Sequence, residues 1–470
     1  MFVGRKNELD YLNTKYTSSN AEFIILYGRR RIGKTEILRE FVKDKKHVFY
    51  SGHQITDFMQ LNRVTGVLTE HFNKKIYSDS FNQWEQVFSY ISENLTKEEK
   101  TVIVFDEFPY MVEGNSSIPS VLQSIWDHSL SKKNILIILC GSSISFMKNE
   151  LLSEKNPLYG RTTGVLKITE MDFESSLGFY PNIDFHEQVA FYSVFSGVPY
   201  YLSRINREKS LKENIITSIL QNGSVLFNEV EFLLKQELRE VSVYNTIITA
   251  IALGRTKQNE IVQLSGVEKT KLTYYLNSLI DLGIIRKEFP STIKTKEMVK
   301  SRVGLYILDN SFFRFYYRFV YPHVSELMDG NIDIIYEDII EKQLMDFIGY
   351  EFEKIAIAHV RNINQRKEIP LRLIRIGRWW DKNKEIDIVG YDISHNFIFG
   401  ECKWRNEKLG VPVLKQLQDK SMAIKEEVRD KYYILFSKSG FTDELKNLAL
   451  IDDKIILVDY NLAKGGFGIN

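Results

Sequence analysis

Gly28-Arg29-Arg30-Arg31-Ile32-Gly33-Lys34-Thr35 is the stretch that decides how this chain is read. An apolar run, Phe23-Ile24-Ile25-Leu26-Tyr27, leads into it, and an amphipathic segment beginning Thr35-Glu36-Ile37-Leu38 leaves it. Glycines at both ends of a turn between a buried strand and a helix let backbone N–H groups wrap phosphate oxygens, and the helix N-terminus adds a positive end. In that setting Lys34 is expected to reach the β- and γ-phosphates of a nucleotide and Thr35 to coordinate Mg2+, with Gly28 to Glu36 forming the cradle. The expected ligands are therefore ATP and Mg2+.

Reading outward, the first third of the chain alternates apolar runs with helix-length segments. His47 to Tyr50, Thr101 to Glu107 and Ile135 to Ser143 join Phe23 to Gly28 as runs of this kind. Such runs predict buried parallel strands of an α/β sheet. The third run ends in Asp106-Glu107: a buried strand there delivers Asp106 to the Mg2+ shell and Glu107 to the attacking water. The next run ends in Gly141-Ser142-Ser143, where a serine could either sense the γ-phosphate or simply close a turn.

With these residues in place, the opening Phe2-Val3-Gly4-Arg5-Lys6-Asn7-Glu8-Leu9, the arginine-filled loop, Asp106-Glu107, Pro157-Leu158-Tyr159-Gly160-Arg161 and Gly197-Val198-Pro199 together resemble the archaeal-type ATPases of the STAND class among the AAA-like P-loop proteins. The resemblance spans about residues 1–240. It implies that Val3 and Gly4 lie near the adenine, that Pro199 closes over the nucleotide, and that Arg161 contacts phosphates either in cis or from a neighbouring subunit. Arg29, Arg30 and Arg31 either add positive potential at the phosphates or make salt bridges around the loop.

Downstream, residues 243–289 give three short helical patterns followed by the strand-like Ile284 to Phe289 and, after a polar stretch, Gly304 to Asp309; the order resembles a winged helix-turn-helix. Its third helix offers Lys269, Thr270, Lys271, Thr273, Tyr274 and Asn277, suited either to DNA or to a spacer. An aromatic stretch, Phe312 to His323, and a helix near 334–360 follow, then a second α/β unit with strand patterns at Leu371 to Gly377, Glu385 to Asp392, Phe397 to Trp404, Tyr432 to Ser437 and Ile455 to Tyr460, and a helix at 411–427. Leu305-Tyr306-Ile307-Leu308-Asp309 and Phe312 to Phe319 also resemble the domain that often follows this ATPase family and is regarded as nuclease-like.

In Glu385-Ile386-Asp387-Ile388 the acids alternate with isoleucines, so both project from one face of a strand. The next strand ends Glu401-Cys402-Lys403. Asp387 with Glu401-x-Lys403 resembles the PD-(D/E)XK nuclease signature without its usual proline. That resemblance implies a Mg2+ site on Asp387 and Glu401, with Glu353 as an upstream acid ligand, Lys403 activating water, and Gln416 as a helper. A basic and indole-rich segment, Arg372, Arg375, Arg378, Trp379, Trp380, Lys382 and Lys384, precedes this strand and either meets nucleic acid or fills core.

The remaining bounds come from composition. The 470 residues are 44% hydrophobic and 26% charged with a net charge of +1, so DNA affinity must be local. Two distant cysteines exclude a disulfide framework, and the absence of a long apolar run predicts a cytoplasmic protein with no membrane span. The expected parts are an ATPase core (1–168), a helical lid (169–240), a winged helix-turn-helix (241–310), and an aromatic linker with a restriction-endonuclease-like α/β domain (311–470). The expected function is an ATP-hydrolysing switch over a Mg2+-dependent DNA endonuclease, with DNA and a possible second copy of the chain as partners. The alternatives are an ATP-dependent DNA-binding scaffold with an inactive nuclease fold, and a chaperone-like ATPase that takes protein through the aromatic stretch.

Overall fold

The computed structural model describes residues 2–74, 80–298, 301, 303–461 and 466–469. They form two compact units, Met1–Met171 with Val198–Tyr200, and Asp172–Gly197 with Tyr201–Asn470. No helix among the described residues is long and apolar enough to cross a membrane.

The first unit is built on five strands, β1 (Glu22–Tyr27), β2 (His47–Ser51), β3 (Thr101–Asp106), β4 (Ile135–Gly141) and β5 (Gly164–Lys167), in the order β2-β3-β4-β1-β5. Every neighbouring pair is parallel. The inner strands β1, β3 and β4 are buried at nearly every position and need cover on both faces, and the period of two divides that cover cleanly. Ile24, Leu26, Val104 and Ile138 pack with Leu12, Ile37 and Phe41, while Phe23, Ile25, Ile103 and Leu139 pack with Val64, Leu68, Trp84 and Phe88. The four expected strands are present. β5 has no counterpart in the sequence reading, because an edge strand of four residues that alternates half-buried and exposed carries no apolar run.

Because the strands are parallel, their C-terminal ends share one edge, where ligands of open α/β sheets bind. Gly28, Asp106-Glu107 and Ser142 all leave the sheet there.

In the second unit three helices, Val241–Ala252, Gln258–Ser265 and Lys269–Asp281, precede β6 (Ile285–Glu288) and β7 (Leu305–Leu308), which pair antiparallel. The aromatic stretch is interior: Phe312, Phe313, Phe315, Tyr316, Tyr317 and Phe319 are buried. It is therefore a packing element of this unit rather than a protein-binding surface.

After the Glu341–Gln365 helix come β8 (Arg375–Trp380), β9 (Glu385–Tyr391), β10 (Phe397–Lys403), β11 (Lys431–Ser437), β12 (Ile455–Asn461) and β13 (Gly466–Ile469). Strand order follows chain order; β10, β11 and β12 are mutually parallel and the remaining pairs antiparallel. Two boundaries differ from the sequence reading. Leu371 and Leu373 are buried but precede β8, and the helix after β10 stops at Ser421 rather than near 427.

Candidate nucleotide site and a second charged site

Two glycines fix the loop between β1 and the Lys34–Val42 helix. A Cβ on Gly28 would lie 2.3 Å from the Ile168 carbonyl oxygen, and Gly33 has φ +85°. Gly33 also serves as the helix N-cap with no side chain capping the first turn, so those N–H groups are positioned for an anion. Arg31 is held at φ 69°, an uncommon left-handed conformation for a side chain of its size.

Lys34 is buried, and its Nζ donates to the Arg29 carbonyl at 3.0 Å. Thr35 Oγ1 donates to Asp106 Oδ2 at 2.8 Å, bringing together the two hard oxygen donors expected around Mg2+. Loop, uncapped helix and paired oxygens fit a Mg2+–nucleotide. Glu36 is exposed in the first helical turn.

The loop arginines each hold a different element. Arg29 pairs with Glu170 at 3.0 Å, and Arg30 donates to the Tyr110 hydroxyl at 2.6 Å. Arg31 lies 4.5 Å from the centre of the Tyr200 ring. Beside Tyr200, Pro199 sits against the loop: its Cγ would be 3.7 Å from a Cβ on Gly33. From the N-terminal segment, which also carries Val3 and Gly4, buried Arg5 donates to the Ile32 carbonyl at 2.9 Å and to Glu8 at 2.8 Å. Nothing in the local sequence assigns Arg5 this role, since its partner Ile32 lies 27 positions away.

Glu107 follows Asp106 at φ 49°, and its Oε2 accepts from Ser142 Oγ at 2.8 Å. Arg161 is elsewhere. Thr163 N donates to Phe23 O and Gly164 pairs with Ile24, so the turn carrying Arg161 stands at the N-terminal edge of the sheet, opposite the phosphate loop. There Arg161 makes a two-pronged contact with Asp127, with Nη2 to Oδ2 at 3.0 Å. The cis alternative for the phosphates is thereby corrected: Gly164 pairs with Ile24 near the start of β1, so the turn before it lies at the end of the sheet away from the loop.

Residues 2–205 match the family described as an ATPase domain predominantly from Archaea. An uncharacterised protein of Methanocaldococcus jannaschii is 33% identical over 457 residues, covering 96% of this chain and 99% of that protein. The chain belongs to the archaeal-type P-loop ATPases. A second protein of that organism, an uncharacterised ATP-binding protein, is 52% identical over 46 residues, 10% of this ATPase and 78% of its own length. A Walker-type ATPase of Pyrococcus abyssi shares the fold at a TM-score of 0.52 and 17% identity, over 67% of this chain and 96% of that one. Residues 316–420 match a family described as Archaea bacterial proteins of unknown function.

That second match covers the other charged group of the ATPase. β9 and β10 pair antiparallel with Ile388 opposite Gly400, so one further step along the ladder sets Asp387 opposite Glu401. Both carboxylates are buried. Asp387 Oδ2 accepts from the Cys402 N–H at 2.8 Å. Phe397 and Phe399, which precede Glu401 by steps of two, pack against Leu414 and Leu417 of the Val411–Ser421 helix. That helix also delivers Lys420, whose Nζ lies 2.9 and 2.8 Å from the two oxygens of Glu401, while Lys403 lies 2.6 Å from Oε1.

Lys420 was missed in favour of Gln416, which is exposed. Gln416 and Lys420 lie one turn apart on the same face of the helix, and it is the later residue that reaches Glu401.

Burial, and then the charge of Glu401, push the Asp387 carboxyl up to about 6. Burial, and then Asp387, push half-buried Glu353 up to about 8. Glu353 is thus within electrostatic range of Asp387, yet among the described residues no three His, Cys, Asp or Glu side chains gather closely enough to hold one ion. Asp387 and Glu401 by themselves remain compatible with Mg2+, since this ion commonly takes only one or two protein carboxylates.

The basic segment before β9 is largely engaged. Arg378 bonds Glu288 at 3.1 Å and also Glu385, Arg375 bonds the Ile293 carbonyl, and Trp379 is buried in the core. Pairing and packing within the unit absorb these residues. By contrast, Lys269, Thr270, Lys271, Thr273, Tyr274 and Asn277 are all exposed on the Lys269–Asp281 helix.

Proposed function

We propose that this ATPase is a cytoplasmic switch in which ATP binding and hydrolysis control a Mg2+-dependent DNA-cleaving site on β9 and β10. The observation that carries the reading is the close grouping of Asp387, Glu401 and Lys403 at the ends of two paired strands, where a strand pair buried for stability alone would carry apolar side chains.

At the nucleotide site Lys34 and the N–H groups of the loop bind the phosphates, and Arg5 and Arg29 keep the loop in shape. Thr35 and Asp106 would hold Mg2+, which when bound offsets charge on the phosphate oxygens. Glu107 orients the attacking water under the hold of Ser142. Arg161 acts on the nucleotide of a neighbouring copy, so the working form is an oligomer.

At the second site Asp387 and Glu401 would hold Mg2+, and Lys403 orients water toward a DNA phosphodiester. The three helices with the β6–β7 pair are read as a winged helix-turn-helix, whose exposed Lys269, Lys271 and Tyr274 meet the DNA backbone.

The test is incubation of the full chain with circular and linear DNA in Mg2+ or Mn2+, with and without ATP. Cutting that is lost in Lys403→Ala and altered in Lys34→Ala is expected. ATP turnover without cutting under any condition would remove the nuclease part and leave an ATP-dependent DNA-binding switch.

A further inference from the structure

Both oxygens of Glu401 are covered by ammonium groups, and the two lysines differ in how they arrive. Lys403 stands on the same strand two residues away and touches Oε1 alone. Lys420 comes from the last turn of a helix and spans both oxygens. Glu401 has 7% of its side chain exposed, while the Lys420 and Lys403 side chains are 31% and 34% exposed. The carboxylate is sealed while its partners face solvent.

A divalent cation competes with the Lys420 ammonium for Glu401, because that ammonium lies 2.8 to 2.9 Å from both oxygens and the two positive charges repel at such separations. Tight binding therefore favours departure of Lys420, after which Oε2 is open while Lys403 stays on Oε1. The flexible stem of Lys420 and its position at a helix end permit that, and an ammonium expelled beside a cation is drawn to the nearest anion. In the reading above that anion is the phosphodiester.

Resting on that reading of the site, we propose that Lys420 is a positioning residue that holds Glu401 in reserve. It occupies the carboxylate until cation and DNA arrive together, then passes its charge to a non-bridging phosphate oxygen. Cation binding and DNA binding are thereby coupled. The chain alone binds Mg2+ weakly, and stray metal does not arm the site.

The experiment compares wild type, Lys420→Met and Lys420→Arg as full chains without nucleotide, with Asp387→Asn as the marker of the site. Mn2+ binding is measured calorimetrically without DNA, and binding to a short duplex is measured in Ca2+ across a salt series. Lys420→Met is expected to tighten the Asp387-dependent Mn2+ binding about tenfold, the worth of one charge-assisted hydrogen bond. It should also weaken duplex binding and reduce the salt slope by about one. Lys420→Arg should keep both wild-type values. Unchanged or weaker Mn2+ binding in Lys420→Met, with the Asp387-dependent site still present, overturns the reserve role alone. Absence of any Asp387-dependent Mn2+ binding in all variants overturns the metal site and this role together.

Discussion

Ser142, at the end of β4, donates its hydroxyl to Glu107 Oε2 at 2.8 Å, and Glu107 in turn opens the Phe108–Gly114 helix from a left-handed backbone conformation. A carboxylate on such a constrained residue has few alternative directions, and the serine selects one. Ser142→Ala is expected to lower kcat for ATP about tenfold with little change in KM, because orientation of water is lost while phosphate binding is kept. Ser142→Thr should restore most of the rate. Glu107→Gln should cost about a hundredfold or more, the usual worth of a positioned base. Steady-state ATPase assays check all three, and a KM effect as large as the kcat effect in Ser142→Ala would sink the positioning role.

Arg5 supports the same site from beneath. Its guanidinium fork joins the Ile32 carbonyl in the phosphate loop to Glu8 in the first helix. Arg5→Ala leaves a buried carbonyl without that donor and should destabilise the first unit by about 1.5–3 kcal/mol. Weaker nucleotide binding should accompany the loss. Arg5→Lys should recover little, since a single ammonium cannot reproduce the fork. Urea unfolding followed alongside ATP titration distinguishes this from a purely local effect.

Arg161 stands a strand length from its own loop, so its effect on hydrolysis should depend on a second copy. Arg161→Ala is expected to leave ATP affinity unchanged and to abolish the rise of specific activity with protein concentration. Stability should hardly change, because the Asp127 pair is partly exposed. Mixing Arg161→Ala with Lys34→Ala should recover activity, as the first supplies an intact loop and the second an intact arginine. No recovery, with mixed oligomers demonstrated, would rule out the trans contact.

These sites differ in how far the sequence alone revealed them. The phosphate loop was legible because its chemistry is local: glycine, lysine and hydroxyl fall within one turn, and strands buried on both faces write themselves as unbroken apolar runs. Asp387 and Glu401 were legible for a related reason, since period two along a strand fixes which side chains share a face. Lys420, Arg5 and the location of Arg161 were not. Each depends on a contact between segments distant in sequence, and nothing in the spacing of Lys420 separates it from any other lysine on a half-buried helix. For the tryptophan-bearing basic segment the sequence left nucleic acid and core both open, because the contact that decides for Arg378 is with Glu288, ninety positions away.

The raised carboxyls of the second site give a pH dependence whose sign is fixed. Asp387 is pushed up to about 6 and Glu353 to about 8, in each case first by burial and next by a neighbouring carboxylate. The folded chain therefore holds these protons more tightly than the unfolded chain. Their stabilising contribution is complete below the usual carboxylate range and is lost as pH rises through about 6 for Asp387 and about 8 for Glu353. Glu353→Gln removes the later loss. Its melting temperature should match wild type near pH 4.5 and exceed it by several degrees above pH 8, since each kcal/mol is worth about 2–4 °C in a large domain. Mg2+ or Mn2+ should narrow the gap, since a cation at Asp387 replaces the proton as the partner of the negative charge. Cation binding itself should strengthen as pH rises through about 6, when Asp387 ionises. Melting curves from pH 4.5 to 8.5, with and without divalent cation, test each part. A gap between wild type and Glu353→Gln that is constant with pH would show that Glu353 contributes only packing.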